Sequence, residues 1–186
     1  MLNKLEHLSV SCILPKLVSC SPCQLAKSHR LLFVENPKRT SHILDFIHCD
    51  LWGPSPVSFD DGYCYYVMFM DDFSWFMWFY PLKVKSDFSK VFDTFIKFVQ
   101  IQFDTKIKIF QSDGGTKFLN HKVQPLLTEN GKFHQKSCLY TMQQNSCTER
   151  KHRHIVEIGL AIMFIAHIPP SYKVHMFSTA VYIINR

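Results

Sequence analysis

Two aromatic-rich runs separated by four residues constrain this chain more than any other feature. Tyr63–Met70 reads YCYYVMFM and Trp75–Leu82 reads WFMWFYPL. Nearly continuous stretches of aromatic and β-branched residues, of strand rather than helix length, describe buried strands. The link between them, Asp71-Asp72-Phe73-Ser74, is too short for a crossover, so the two pair as an antiparallel hairpin. Asp61 and Gly62 mark the turn before the first strand. A hairpin this apolar needs cover, and the rest of the chain must supply it.

The flanking sequence alternates between strand and helix patterns. Leu44–Leu51 reads as a strand closed by Trp52-Gly53-Pro54. Over Ser86–Phe103 the period changes: Phe88, Val91, Phe92, Phe95, Val99 and Phe103 recur at helical spacing, with Ser86 as the expected N-cap. Ile107–Phe110 is a short strand, Asn120–Asn130 a helix stopped at Gly131, and Phe133–Ser137 another strand. A long helix runs from about Asn145 towards Ala166, ahead of Pro169-Pro170, and Val174–Ile184 is helical again. The order predicts an α/β fold, a mixed sheet flanked by helices in the ribonuclease H-like arrangement. Glu35–Ser41 is polar, contains a proline, and reads as a linker. Three parts follow: residues 1–34, a linker over 35–43, and the main domain over 44–186.

With 186 residues, 47% of them hydrophobic, and 17 Phe, the chain can fill a core, which excludes a disordered protein. Seven cysteines with one close pair do not form a disulfide framework. No stretch resembles a secretory leader, and no run of about 18 apolar residues predicts a membrane span. These features place the protein in a reducing compartment, nucleus or cytoplasm. The formal charge of +6 suits a polyanionic partner without specifying one.

Three acids stand out by position. Asp50 closes a buried strand, Asp113 ends another just before Gly114-Gly115, and Glu149 lies near the start of the long helix. Carboxylates at strand ends and on an adjoining helix can converge at one edge of a sheet, where their hard oxygens suit Mg²⁺. Two such ions can activate an attacking oxygen and stabilise a leaving one in phosphoryl transfer. Spacing alone carries little, because Asp93 and Glu129 stand the same distance apart as Asp113 and Glu149.

The neighbouring residues are more specific. His48-Cys49-Asp50-Leu51-Trp52-Gly53-Pro54 resembles the first acid block of copia-type retrotransposon integrases. Gln111–Phe118 (QSDGGTKF) resembles the second. His134–His154 (HQKSCLYTMQQNSCTERKHRH) resembles the block that carries the family's glutamate. Asp71-Asp72-Phe73-Ser74 and Ile184-Asn185-Arg186 resemble further blocks. The resemblance runs from about Cys20 to Arg186. It implies an integrase catalytic core with Asp50, Asp113 and Glu149 as ligands of Mg²⁺ or Mn²⁺. It also implies processing of element DNA ends, strand transfer to target DNA, and work as a homo-oligomer. Arg150, Lys151 and Arg153 form a basic patch expected to bind DNA. Arg153 lies one helical turn past Glu149 and is suited to a phosphate beside the metals. An ordinary Glu149–Arg153 surface pair remains the bland alternative.

Cys20 and Cys23 resemble half of the family's zinc-binding pre-integrase module. Tetrahedral Zn²⁺ takes four ligands, and only His7 and Cys12 stand upstream to complete the set. Residues 1–34 therefore read as a remnant without metal, with Cys20 and Cys23 the candidate zinc ligands. The chain is expected to be an excerpt cut short at both ends of a longer polyprotein.

The chain departs from the family pattern at Lys117, Lys132, Met142, Ser146, Cys147 and Lys173. Ser146 replaces a glycine before the long helix and is expected to strain that loop if φ is positive there. Lys173 replaces a tryptophan and is expected to remove a core aromatic. These departures keep open an alternative, a catalytically inactive remnant that at most binds nucleic acid.

Overall fold

The structure, a computed structural model, describes residues 40–55, 59–112, 123–129, 131, 133–136 and 146–186. The chain divides at 32/33 into two units, and everything described belongs to the second. The elements are β1 (Phe46–Trp52), β2 (Tyr65–Asp71), β3 (Met77–Leu82), α1 (Phe88–Phe103), β4 (Ile109–Ser112), α2 (Val123–Glu129), β5 (Phe133–Lys136), α3 (Ser146–Ile165) and α4 (Lys173–Ile184). Their order is the one expected from periodicity. Among the described residues no helix is long and apolar enough to cross a membrane.

The five strands form one sheet in the order β3-β2-β1-β4-β5. β1 pairs antiparallel with β2 and parallel with β4. The β2–β3 hairpin is antiparallel, and β5 runs parallel to β4. Alternation along β1 and β2 sorts side chains to two faces. Ile47, Cys49, Leu51, Val67 and Phe69 join Phe92, Phe95, Ile96 and Val99 of α1 and Val123 and Leu127 of α2 in one core. Tyr66, Met68, Met70 and Met77 join Ile155 of α3 and Phe177, Ala180 and Val181 of α4 in the other.

The phenylalanine stripe of α1 accounts for much of the first core. Phe69 and Phe95 stack with centroids 4.1 Å apart and planes within 8°. Phe92 packs on Phe110 of β4 at 4.6 Å. Each such fully buried side chain contributes roughly 1.5–3 kcal/mol by leaving water. The helix starts later than its sequence suggests, because a 3₁₀ turn over Lys85–Asp87 precedes it. Ser86 lies in that turn and is not the cap. Instead the Asp87 carboxylate accepts from the Val84 N–H at 3.2 Å, an acceptor suited to a helix N-terminus.

The hairpin turn is tied to the entry of β1. Asp71, 1% exposed, accepts from the Ser74 N–H at 2.8 Å and the Ser74 hydroxyl at 2.7 Å through one oxygen. Its other oxygen accepts from the Leu44 N–H at 2.8 Å. Leu44 has φ of +63°, a conformation that costs a non-glycine residue about 1–3 kcal/mol and persists when its surroundings fix it. Asp72 accepts from the Thr40 N–H and hydroxyl at 3.2 and 3.0 Å. At the sheet's other end, Asn185 brackets the edge residue Met77, accepting from its N–H at 3.0 Å and donating to its carbonyl at 2.8 Å. The side-chain amide thus replaces the missing neighbour strand at that position.

Two departures look different in the fold. Ser146 is the first residue of α3, a helical position with negative φ, so the strain expected of it does not arise there. Lys173 opens α4 and lays its ammonium 5.5 Å from the centre of the Phe177 ring, a cation–π contact in place of an aromatic neighbour. Lys117, Lys132 and Met142 lie outside the described residues.

Candidate functional site

Asp50 and Trp52 lie on the face of β1 that meets α3, because Cys49 and Leu51 turn to the α1 core. Beyond Trp52 the chain bends sharply. Gly53 has φ of +123°, and a Cβ there would sit 2.5 Å from Cδ1 of Tyr65 and 2.7 Å from the carbonyl oxygen of Cys64. Glycine at this point lets the chain turn away directly after the strand that carries Asp50.

Glu149, in the first turn of α3, opens onto the same place. Asp50, Glu149, His152, Arg153, Val156 and Glu157 line one open cleft of about 560 Å³. The helical spacing of Glu149, Arg153 and Glu157 puts them on one face of α3, with His152 and Val156 alongside. Two expected carboxylates and one expected cation thus meet in one cleft. Arg150 is exposed on the same helix. Lys151 faces elsewhere, with its ammonium 5.1 Å from the centre of the Trp75 ring.

Asp113 lies outside the described residues, as do Cys20 and Cys23. The strand before Asp113 is described. The β1–β4 register sets Ser112, fully buried, opposite Cys49, the residue before Asp50. The Ser112 hydroxyl lies 2.9 Å from Nε2 of His134 on β5. Among the described residues no three His, Cys, Asp or Glu side chains form a metal-binding group. The donors that do meet in the cleft are carboxylates, the class a hard divalent cation takes.

Behind the acids stands an aromatic stack that the sequence alone does not reveal. Trp52 and Tyr66 stack at 5.2 Å, Tyr66 and His152 at 5.8 Å, and Trp52 and His152 at 6.1 Å. The Tyr66 hydroxyl is hydrogen-bonded to Nε2 of His152. Burial pushes the Tyr66 phenol well above its ordinary range, and the negative charge of Asp50 adds to this. Burial lowers the His152 imidazole, against the opposing pull of Asp50. Both groups are therefore neutral near pH 7. Glu157 was likewise missed by sequence reasoning, although its two-turn spacing from Glu149 was the available signal.

No family model matches the chain. It is 41% identical over 171 residues to the retrovirus-related Pol polyprotein from transposon RE2 of Arabidopsis thaliana. It is 38% identical over 184 residues to that from transposon RE1 of the same plant, and 33% over 167 residues to that from transposon TNT 1-94 of Nicotiana tabacum. These matches take in 92%, 98% and 90% of this chain but only 12%, 12% and 13% of the polyproteins. Among solved structures, a chain of the simian T-cell lymphotropic virus intasome superposes with a TM-score of 0.62 at 16% identity, over 90% of this chain and 58% of that one. The HTLV-2 integrase catalytic core domain in complex with magnesium, in its dimeric form, gives 0.58 at 15% identity, over 80% and 90%. The expected ribonuclease H-like fold is the fold of these cores.

Proposed function

The chain belongs to the copia-type retrotransposon Pol polyproteins, as a stretch of their integrase core, and from that premise we propose that it carries out metal-dependent phosphoryl transfer on DNA. The observation that carries this reading is the convergence of Asp50 from β1 and Glu149 from α3 on one cleft with Arg153. Asp113 completes the set in this proposal. In the sequence it directly follows Ser112, the register partner of Cys49.

The three carboxylates would hold Mg²⁺ or Mn²⁺. Bound there, such ions supply activation of the attacking oxygen and stabilisation of the leaving one. The HTLV-2 core is described in complex with magnesium, which supports that class of cation here. The chain's own residues place the substrate. Arg153, one turn beyond Glu149, is positioned for a phosphate oxygen, and exposed Arg150 extends the cationic surface. Two steps are what the resemblance to copia-type integrases implies for such a site. Water first cleaves a phosphodiester near an element end. The freed 3′-hydroxyl then forms a new P–O bond in target DNA as an existing P–O bond breaks. Trimeric and dimeric forms of the HTLV-2 core support assembly of copies of this chain. The proposed place of action is the nucleus or cytoplasm.

The test is end processing and strand transfer on oligonucleotides bearing element ends, with Mg²⁺ or Mn²⁺. The wild type should form product, and Asp50→Asn, Asp113→Asn and Glu149→Gln should each lose it at least about a hundredfold, as expected when a metal ligand is removed. Equal absence of product in all four proteins would overturn the catalytic reading and leave an inactive remnant that at most binds nucleic acid.

A further inference from the structure

His152 is placed as a core-facing residue and as a cleft residue at once. Its ring packs against both Trp52 and Tyr66 on one side, and it lines the cleft with Asp50, Glu149 and Arg153 on the other. Tyr66 is 1% exposed, and a buried hydroxyl hydrogen needs an acceptor. Among the described residues, the partner of the Tyr66 hydroxyl is Nε2 of His152. A neutral imidazole has one acceptor nitrogen and one N–H. With Nε2 accepting from Tyr66, the hydrogen of the ring lies on Nδ1. The tilt of the pair is set by three stacked rings, so the imidazole has little freedom to flip.

We propose that His152 is a substrate-contacting residue of the cleft, a neutral donor whose Nδ1–H binds a DNA phosphate oxygen, with Tyr66 and Trp52 as positioning residues that fix its tautomer and plane. The inference rests on the reading of the cleft as a DNA site and adds a recognition element to it. A neutral donor suits this location. It can bind a phosphate oxygen without adding a positive charge beside carboxylates that must also hold divalent cations. Arg153 supplies the long-range attraction, and His152 supplies direction.

Two measurements on the full chain test this. The first is the tautomer of His152, read from two-bond ¹H–¹⁵N correlations of the ¹⁵N-histidine-labelled protein near neutral pH. The wild type should show the Nδ1-protonated form. Tyr66→Phe keeps the ring and its stacking but removes the donor, so it should shift the signal towards the Nε2-protonated form. An Nε2-protonated wild type would overturn the proposal.

The second is affinity for a short DNA duplex without divalent metal, measured across salt concentrations. His152→Asn places an amide where Nδ1 stands, and His152→Gln places one where Nε2 stands. Loss of one hydrogen bond to a charged oxygen should weaken His152→Gln and Tyr66→Phe roughly three- to tenfold, with His152→Asn nearer the wild type. The salt slope should stay unchanged in all three, whereas Arg153→Gln should lower it by about one. Wild-type affinity in His152→Gln beside a weakened Arg153→Gln would leave the cleft as a DNA site and overturn the role of His152. A wild type with no duplex affinity would remove the cleft reading and this proposal together.

Discussion

Nε2 of His48 lies 3.0 Å from Oδ1 of Asp72, joining the strand that carries Asp50 to the turn between β2 and β3. The bond explains why two blocks distant in sequence belong together. His48 stands two residues before Asp50, and Asp72 is the second acid of Asp71-Asp72-Phe73-Ser74. With the Thr40 bonds on its other oxygen, Asp72 holds the entry of β1, the turn and the centre of the sheet in one arrangement.

This arrangement should be visible as acid sensitivity. The His48 hydrogen bond, aided by those from Thr40 and opposed by burial, holds the Asp72 carboxyl at about 2, below its ordinary 3.8. A depressed folded-state value stabilises the fold above the unfolded value. That stabilisation is lost as pH falls from about 4 through about 2. Asp72→Asn should therefore cost at most about 2 kcal/mol near neutrality, and the difference from wild type should shrink across that acid window. Urea denaturation at a series of pH values measures both. A pH-independent difference would refute the assignment.

Asn185 should matter more than an exposed helix terminus normally does. Asn185→Ala leaves the N–H of Met77, a residue 1% exposed, and its carbonyl without their side-chain partner. Losing such bonds costs about 1–3 kcal/mol. The denaturation midpoint should fall with its slope unchanged, since the exposed area on unfolding is the same.

The pairing of α3 with α4 depends on Gly159. A Cβ there would lie 2.5 Å from Cδ1 of Phe177 and 2.9 Å from Cε1. Gly159→Ala should destabilise by about 1–3 kcal/mol through overpacking. Phe177→Leu should cost less in the Gly159→Ala background than alone, a coupling that a double-mutant cycle reads directly.

The basic residues of α3 should separate by role. Arg153 lines the cleft, whereas the Lys151 ammonium lies over Trp75. Arg153→Gln should weaken DNA binding and reduce the salt slope by about one. Lys151→Gln should change that slope less and instead cost about 0.5–1 kcal/mol of stability from the lost cation–π contact. Equal slopes in the two variants would count against this division.

Much of the fold was legible because its elements have strong periodicity. The phenylalanine stripe of α1, the hairpin runs and the helical spacing of α3 all lie within short windows of sequence. What lay beyond reach depends on contacts between distant segments. Asp71-Asp72-Phe73-Ser74 could be read as a turn, but its bonds to Thr40, Leu44 and His48 follow only once β1 sits beside β2. Tyr66 sits inside a run that reads as core throughout. Its partner His152 lies 86 residues away, on a helix whose face against the sheet is fixed by tertiary packing. The cap of α1 was misplaced for a local reason: the chain enters through a 3₁₀ turn in which Asp87, not Ser86, has an oxygen in reach of Val84. Of the three acids, the structure brings Asp50 and Glu149 to one cleft, and Asp113 lies outside the described residues.

The alignment of β1 against β2, with Asp50 opposite Met68, has a consequence for how such a protein can lose its chemistry. Sliding β1 by one residue would invert it, sending Asp50 among the phenylalanines of α1 and swinging the Cys49 thiol out in its place. The clasp formed by Asp71, Asp72, Thr40 and Leu44 opposes that slip. A lesion in the clasp would disperse the cleft while Asp50 and Glu149 stayed in the sequence, so counting surviving carboxylates is a poor guide to whether the cleft of such a chain is still assembled.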